Sequence, residues 1–398
     1  MQIRMKNLLL AVVLFGTHLT AYSQYTFFTP EGSFAIEASL ENTDMVRLPI
    51  YRNEITSLSV VGDYIIGGTS ASEGLSPFVF TASLEERKMT EIFDLSGVVD
   101  GQQRIRSGFV KDEKGKLFAG TMPQNMESSG HLISVSLDKK KKIVVEDFGV
   151  PVIGEGIYAL TSDPTNRVLY GLTYPSGYFF SFDISTRKAE VYKDLAPSEK
   201  VRFSLEDHFS VTAEDYLSRA LIADDNGLVY GSLPYGILFY FDPKTKSLVE
   251  TEEELPEVWG RRSLGQIHCW LKTSDGEIYG ANRADGQLFK LNTATKKIKN
   301  LGKPIMMSGL AGLAEGADGK IYGVAGGYPG YGHLFSYDEE EGFVDYGNPQ
   351  FNMVEPGIEQ GIAWRGYQME TITASEDGKY IVIGEAEALS QLMVFQVK

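Results

Sequence analysis

One cysteine, Cys269, stands in the whole chain, so no intrachain disulfide can form and no cysteine cluster can hold zinc. Basic charge is also scarce. With 37 Lys and Arg against 53 Asp and Glu the net charge is -16, and nucleic-acid affinity needs clustered basic charge, so DNA and RNA are excluded as main partners. A few focused arginines still suffice for a local anionic ligand. HExxH, paired CxxC, GxSxG and Walker sequences are missing, which removes the zincin, zinc-ribbon, serine-hydrolase and P-loop readings. With only five histidines, a three-histidine metal centre is not expected. No cofactor is required, and a structural divalent metal is left open. No apolar run reaches the length of a membrane span, so membrane insertion is not expected.

The start of the chain carries Arg4 and Lys6, an apolar run from Leu8 to Gly16, and Ala21-Tyr22-Ser23 before Gln24. Basic residues, a short apolar segment and a small-residue cleavage site make residues 1–23 a signal peptide and 24–398 an exported, soluble chain of the periplasm or cell surface. Export without disulfides suits a fold large enough to need no staples. Hydrophobic residues at 43 %, 42 glycines and 12 % aromatics favour a turn-rich β protein over a helical bundle.

The chain is built from repeats. A short strand ending in Gly recurs as Tyr64-Ile-Ile-Gly67, Leu117-Phe-Ala-Gly120, Val168-Leu-Tyr-Gly171, Leu228-Val-Tyr-Gly231, Glu277-Ile-Tyr-Gly280, Lys320-Ile-Tyr-Gly323 and Tyr380-Ile-Val-Ile-Gly384. Most copies follow an Asn-Gly or Asp-Gly turn (Asn226-Gly227, Asp275-Gly276, Asp318-Gly319, Asp377-Gly378) that joins them to an earlier strand. A third strand follows, as in Gly177-Tyr-Phe-Phe-Ser-Phe-Asp183, Gly236-Ile-Leu-Phe-Tyr-Phe-Asp242, Gly286-Gln-Leu-Phe-Lys-Leu-Asn292 and Gly332-His-Leu-Phe-Ser-Tyr-Asp338. A short fourth strand closes most units. This spacing predicts an all-β fold, a single seven-bladed β-propeller, rather than a linear solenoid. The last unit runs out at its third strand, so residues Phe34 to Leu40 are expected to supply its outer strand.

First strands of a propeller line its channel. Counting back from each glycine places His268, Arg106, Tyr158 and Arg219 at one level, with Thr56, Ala311 and Ile372 in the other units. Glu54 and Glu370 are nearby carboxylates that offer them pairing. His131 and His333, on third strands, read as packing or surface residues. Loops after the second strands supply Tyr174, Tyr235, Arg283 and Tyr328, suited to stacking on sugar rings and binding polar groups. The long insert from Ala196 to Ser218 carries His208 and is placed to wall one face. Gln266 adjoins His268. These residues are the candidate substrate contacts.

A His, Tyr and Arg set of this kind suits a uronic acid. Arg106 or Arg219 would clamp the carboxylate, His268 would take the C5 proton, and Tyr158 would protonate the group leaving C4. With its leader, its repeats and this channel set, the chain resembles exported seven-bladed propellers of uronic-acid polysaccharide breakdown: ulvan lyases, oligosaccharide dehydratases and rhamnose–glucuronate-linkage enzymes. The resemblance implies a monomeric lyase acting on acidic oligosaccharides such as ulvan fragments. The second channel histidine of ulvan lyases has no counterpart here, and Asn53-Glu54 stands where glucuronyl-linked α-L-rhamnosidases place theirs. A glucuronyl-linked α-L-rhamnosidase, a non-catalytic sugar- or protein-binding propeller and a calcium-dependent lactonase are the competing readings.

Overall fold

The computed structural model describes residues 27–28, 31–39, 46–112, 114–125, 127–163, 165–192, 217–257, 265–283, 286–306, 309–326, 332–352, 363–386 and 390–398. Residues 1–23, expected from the sequence to be a signal peptide, most of the Ala196 to Ser218 insert with His208, and Tyr328 lie outside them. Nearly all regular structure is antiparallel strand, and no described helix is long and apolar enough to cross a membrane.

Runs of four antiparallel strands follow one another along the chain. Gly156–Asp163, Val168–Tyr174, Phe179–Asp183 and Lys188–Tyr192 form one sheet; Ile267–Lys272, Ile278–Asn282, Leu288–Asn292 and Lys297–Gly302 form another. The sheet from Glu54–Val61 to Lys88–Asp94 is joined to the next, from Gln102–Ile105 to Ile143–Gly149, by the pair Ser70 and Arg104. Glu54–Val61 touches Gln102–Ile105, Gly156–Asp163 touches Ile222–Ala223, Ile267–Lys272 touches Leu310–Glu315, Leu310–Glu315 touches Met369–Ala374, and Met369–Ala374 lies against Glu54–Val61, so the array closes on itself. The closing sheet takes its outer strand from the other end of the chain, Phe34–Glu37 pairing with Gln391–Gln396, as the sequence leads one to expect. Ala38 N–H donates to Gln391 Oε1 at 3.1 Å and Ser39 Oγ to the Ser390 carbonyl at 2.8 Å, which fastens that seam.

The repeated letters have separate physical causes. Gly67, Gly171, Gly231, Gly280 and Gly323 each sit directly across from a phenylalanine of the third strand: Phe80, Phe180, Phe239, Phe289 and Phe335. In every case a Cβ on the glycine would lie inside the ring's contact radius. Gly120 and Gly384 face no phenylalanine; there the space is taken by Ile157 and Ile55 of the next first strand. The terminal Asp183, Asp242 and Asp338 accept backbone N–H bonds of 2.8 to 2.9 Å from the turns that follow them, so the acid is a turn-former. In the hairpins, Gly227 has φ +82, a conformation open to glycine without strain, while Asp224 Oδ1 accepts from the Asn226 and Leu228 amides at 2.9 Å.

The core lies between the faces of adjacent sheets. Tyr170, Leu172 and Phe179 of one sheet pack on Leu221, Phe239 and Phe241 of the next, the Phe179 and Phe241 rings 4.6 Å apart. Burying such rings supplies about 1.5–3 kcal/mol for each side chain and holds the first strands in place around the channel.

Candidate functional site

Five inner strands interrupt their pairing at the same place. Ile55 faces Thr69 and Ser57 faces Gly68, leaving Thr56 unpaired. Ile157 and Ala159 likewise skip Tyr158, Ile267 and Cys269 skip His268, Leu310 and Gly312 skip Ala311, and Met369 and Thr371 skip Glu370. In Gln102–Ile105 the register shift falls earlier, between Gln102 and Arg104, and just past that strand the Arg106 and Ser107 amides converge on the Gly120 carbonyl at 3.0 and 3.4 Å. Arg219 precedes the short strand Ile222–Ala223, its N–H donating across to the Ile267 carbonyl at 2.8 Å. A bulge re-aims the extra side chain; repeated around a closed array, it sends one residue per inner strand toward the axis.

One sequence assignment needs correction here. The closing sheet places Glu370, not Ile372, at this level. Ile372 pairs with Ile383, the position that Gly280 and Gly323 hold opposite Trp270 and Leu313, so Gly384 comes one step later in its strand. The hairpin is longer as well, and the two offsets add.

The residues meet at a cavity of about 230 Å³ whose wall includes Thr56, Arg106, Arg219, His268, Trp270 and Glu370. Arg219 is buried and donates from Nη1 to the Arg106 carbonyl at 2.7 Å. The Arg106 and Arg219 guanidinium carbons stand 5.1 and 5.6 Å from the centre of the Tyr158 ring, an arrangement in which the π face offsets part of the cost of bringing two cations together. Burial, with Arg106 next in effect, lowers the Arg219 pKa to about 9. Burial and the charges of Arg219, Arg283 and Arg106 hold His268 well below the usual imidazole range, so it is neutral at pH 7. Among the described residues Arg106 Nε, Arg219 Nε, His268 Nδ1 and Trp270 Nε1 are buried without a hydrogen-bond partner. Buried donors are ordinarily satisfied. Gathered at one cavity beside crowded guanidinium groups, they are the donors an anion would need.

The other candidates divide. Tyr158 is fully buried and stacks on Tyr174 at 5.9 Å and 27°; both back the arginines rather than line the cavity. Arg283 is exposed at the rim, anchored by its N–H on the Gln266 carbonyl at 3.0 Å, and its charge reaches His268. Gln266 is sealed from solvent with its amide donating to the Leu217 carbonyl, so it ties strands together and does not meet the cavity. Tyr235 sits in the turn Pro234–Gly236, off the cavity. His131 and His333 are bonded through Nδ1 to Asp147 and Asp345 of the outer strands, both at 3.0 Å. Burial pushes the Cys269 thiol up to about 12, which leaves it protonated and inert. Trp270 and Ser107 on the cavity wall had no distinguishing pattern in the sequence. No group of three or more His, Cys, Asp or Glu side chains assembles as a metal site among the described residues.

No family model matches the chain, and no curated protein matches it either. Solved structures do. A catalytically inactive histidine-to-alanine variant of virginiamycin B lyase from Staphylococcus aureus, with quinupristin, superposes with a TM-score of 0.59 at 9% identity, covering 89% of this chain and 98% of that one. The WD40 repeats of RRP9 give 0.55 at 10%, over 91% and 100%. The extracellular domain of a B. thetaiotaomicron hybrid two-component system gives 0.58 at 11%, over 92% of this chain and 40% of that one. At such identities a likeness speaks for the fold alone, and the fold is a β-propeller.

Proposed function

We propose that this chain is an exported seven-bladed propeller whose channel binds the carboxylate of a uronic-acid-containing oligosaccharide and eliminates the substituent at C4. Support for seven blades comes from dividing the nine-stranded sheet at its single Ser70 and Arg104 pair and taking each remaining run of strands as one blade. The observation that carries the activity is the neutral imidazole of His268 beside two guanidinium groups with unspent donors.

Arg106 and Arg219 take the substrate carboxylate and stabilise the negative charge that develops on it as C5 loses its proton. That carboxylate also offsets the cationic field on His268, which raises its basicity when substrate is present. His268 removes the C5 proton, the C5–H electrons form the C4–C5 double bond, and the C4–O bond breaks. The imidazolium, disfavoured by its cationic neighbours, returns the proton to the departing oxygen. Tyr158, expected from sequence to be the acid, is sealed behind the arginines and in this reading holds them in place. A propeller lyase that a histidine-to-alanine change inactivates is among the similar solved structures.

The test is turnover of uronate-terminated oligosaccharides, followed by the ultraviolet absorbance of the new double bond, in wild type, His268→Ala and Arg219→Met. Absorbance in wild type and none in the folded variants supports the proposal; equal rates in all three reject it. A uronate-binding propeller without catalysis is the second reading, favoured by the likeness to an extracellular sensor-system domain. It predicts saturable binding and no product.

A further inference from the structure

The charges around the channel are not evenly spread. In ring order the residues at this level run Thr56, Arg106, Tyr158, Arg219, His268, Ala311 and Glu370, and the closure of the array brings Glu370 back beside Thr56. Arg106 and Arg219, both close to the Tyr158 ring, make one arc cationic. The opposite arc holds Glu370 between two small residues. Thr56 there spends its hydroxyl on the Ile105 carbonyl at 2.7 Å. Glu370 lines the cavity, and Arg219 senses its charge, but no described residue hydrogen-bonds it.

A ligand carboxylate held by the arginines therefore faces a second carboxylate across the cavity. Like charges at that distance repel unless a donor lies between them. The small side chains of Ala311 and Thr56 leave room on that side for such a donor. The geometry points to Glu370 as a specificity residue that accepts a hydrogen bond from a hydroxyl on the far side of the substrate from its carboxylate. The substrate class narrows to hydroxylated carboxylates bound in one direction, acid to Arg106 and Arg219, hydroxyl to Glu370, with His268 between. This inference rests on the carboxylate-binding reading above, and deepens it.

Calorimetric titration of the full chain with glucuronate and with cyclohexanecarboxylate, a ring acid without hydroxyls, separates the two. Wild type is expected to bind glucuronate more tightly. Glu370→Ala should weaken glucuronate by roughly tenfold or more, the worth of a hydrogen bond to a charged group, and leave cyclohexanecarboxylate unchanged or tighter. Glu370→Gln, which keeps the shape and an acceptor oxygen, should fall between and guards against a folding defect in the alanine variant. Equal weakening of both ligands, or of neither, overturns the role of Glu370. Cyclohexanecarboxylate binding with no added affinity for glucuronate overturns it too, while sparing the anion site. If neither acid binds wild type, both readings fall together. Glu370-dependent binding without an unsaturated product upholds this inference and defeats only the catalytic one.

Discussion

Gly67→Ala should be costly although it adds one methyl group. The three atoms nearest the new Cβ would all be carbons of the Phe80 ring, the third of them only 2.7 Å away. Phe80 is fully buried among Phe34, Leu58, Ile65 and Val394, so its ring has no free direction in which to retreat. Overpacking of this kind costs about 1–3 kcal/mol, and the rigid surroundings put it at the upper end. Loss of glycine's freedom in the unfolded chain returns about 0.4–1 kcal/mol. The net expectation is about 2 kcal/mol of destabilisation, read by urea unfolding followed by circular dichroism. Phe80→Leu alone should cost about 1–2 kcal/mol from lost packing. Combined, the two should cost less than their sum by about 1 kcal/mol or more, because leucine vacates the space the methyl group needs. Strict additivity would show that the glycine is not there for the ring, and the account of the repeat would fail with it.

The remaining predictions concern the channel. His268→Gln should flatten the acid side of the stability profile: the folded pKa is depressed, so stability is complete above pH 6.5 and falls below it by up to about 1.4 kcal/mol per unit, as the unfolded chain takes a proton the folded one refuses; an unchanged slope in thermal melts would contradict this. Arg219→Met should move the His268 titration, followed by NMR, upward toward the ordinary imidazole value, and no movement would show that Arg219 is not among its causes. Tyr158→Phe should leave turnover within a few-fold of wild type because the ring under the arginines remains, whereas Tyr158→Ala should raise KM. Abolished turnover in Tyr158→Phe, with KM unchanged, would restore the hydroxyl as the proton donor.

The repeat was legible because its causes are local. A glycine facing a phenylalanine, and an aspartate closing a turn, recur as letters at short spacing. The seam was legible for a similar reason, since a unit short of its outer strand must borrow one. The channel level was harder, because it depends on where the bulge falls relative to the glycine. Counting back found Thr56, Tyr158, His268 and Ala311, whose strands share the bulge, and Arg106, whose amide converges with that of Ser107 on one carbonyl. It failed at Glu370, where glycine and hairpin length shift together. Depth was not legible at all. Gln266 and Tyr158 look like ligands in a string of letters, yet one is consumed by a backbone carbonyl and the other is roofed by two guanidinium groups. Polar type announces chemistry, while exposure is decided by neighbours far away in sequence.

The most direct test of the central claim is the mass of the products formed from a uronate-terminated oligosaccharide in heavy-oxygen water. Elimination predicts an unsaturated uronate one water lighter than the free sugar acid, with no heavy oxygen in either product. Heavy oxygen incorporated at the cleaved bond would mean hydrolysis, and the channel would then have to be read as a glycosidase site; an unchanged substrate that still binds would leave the receptor and remove the reaction.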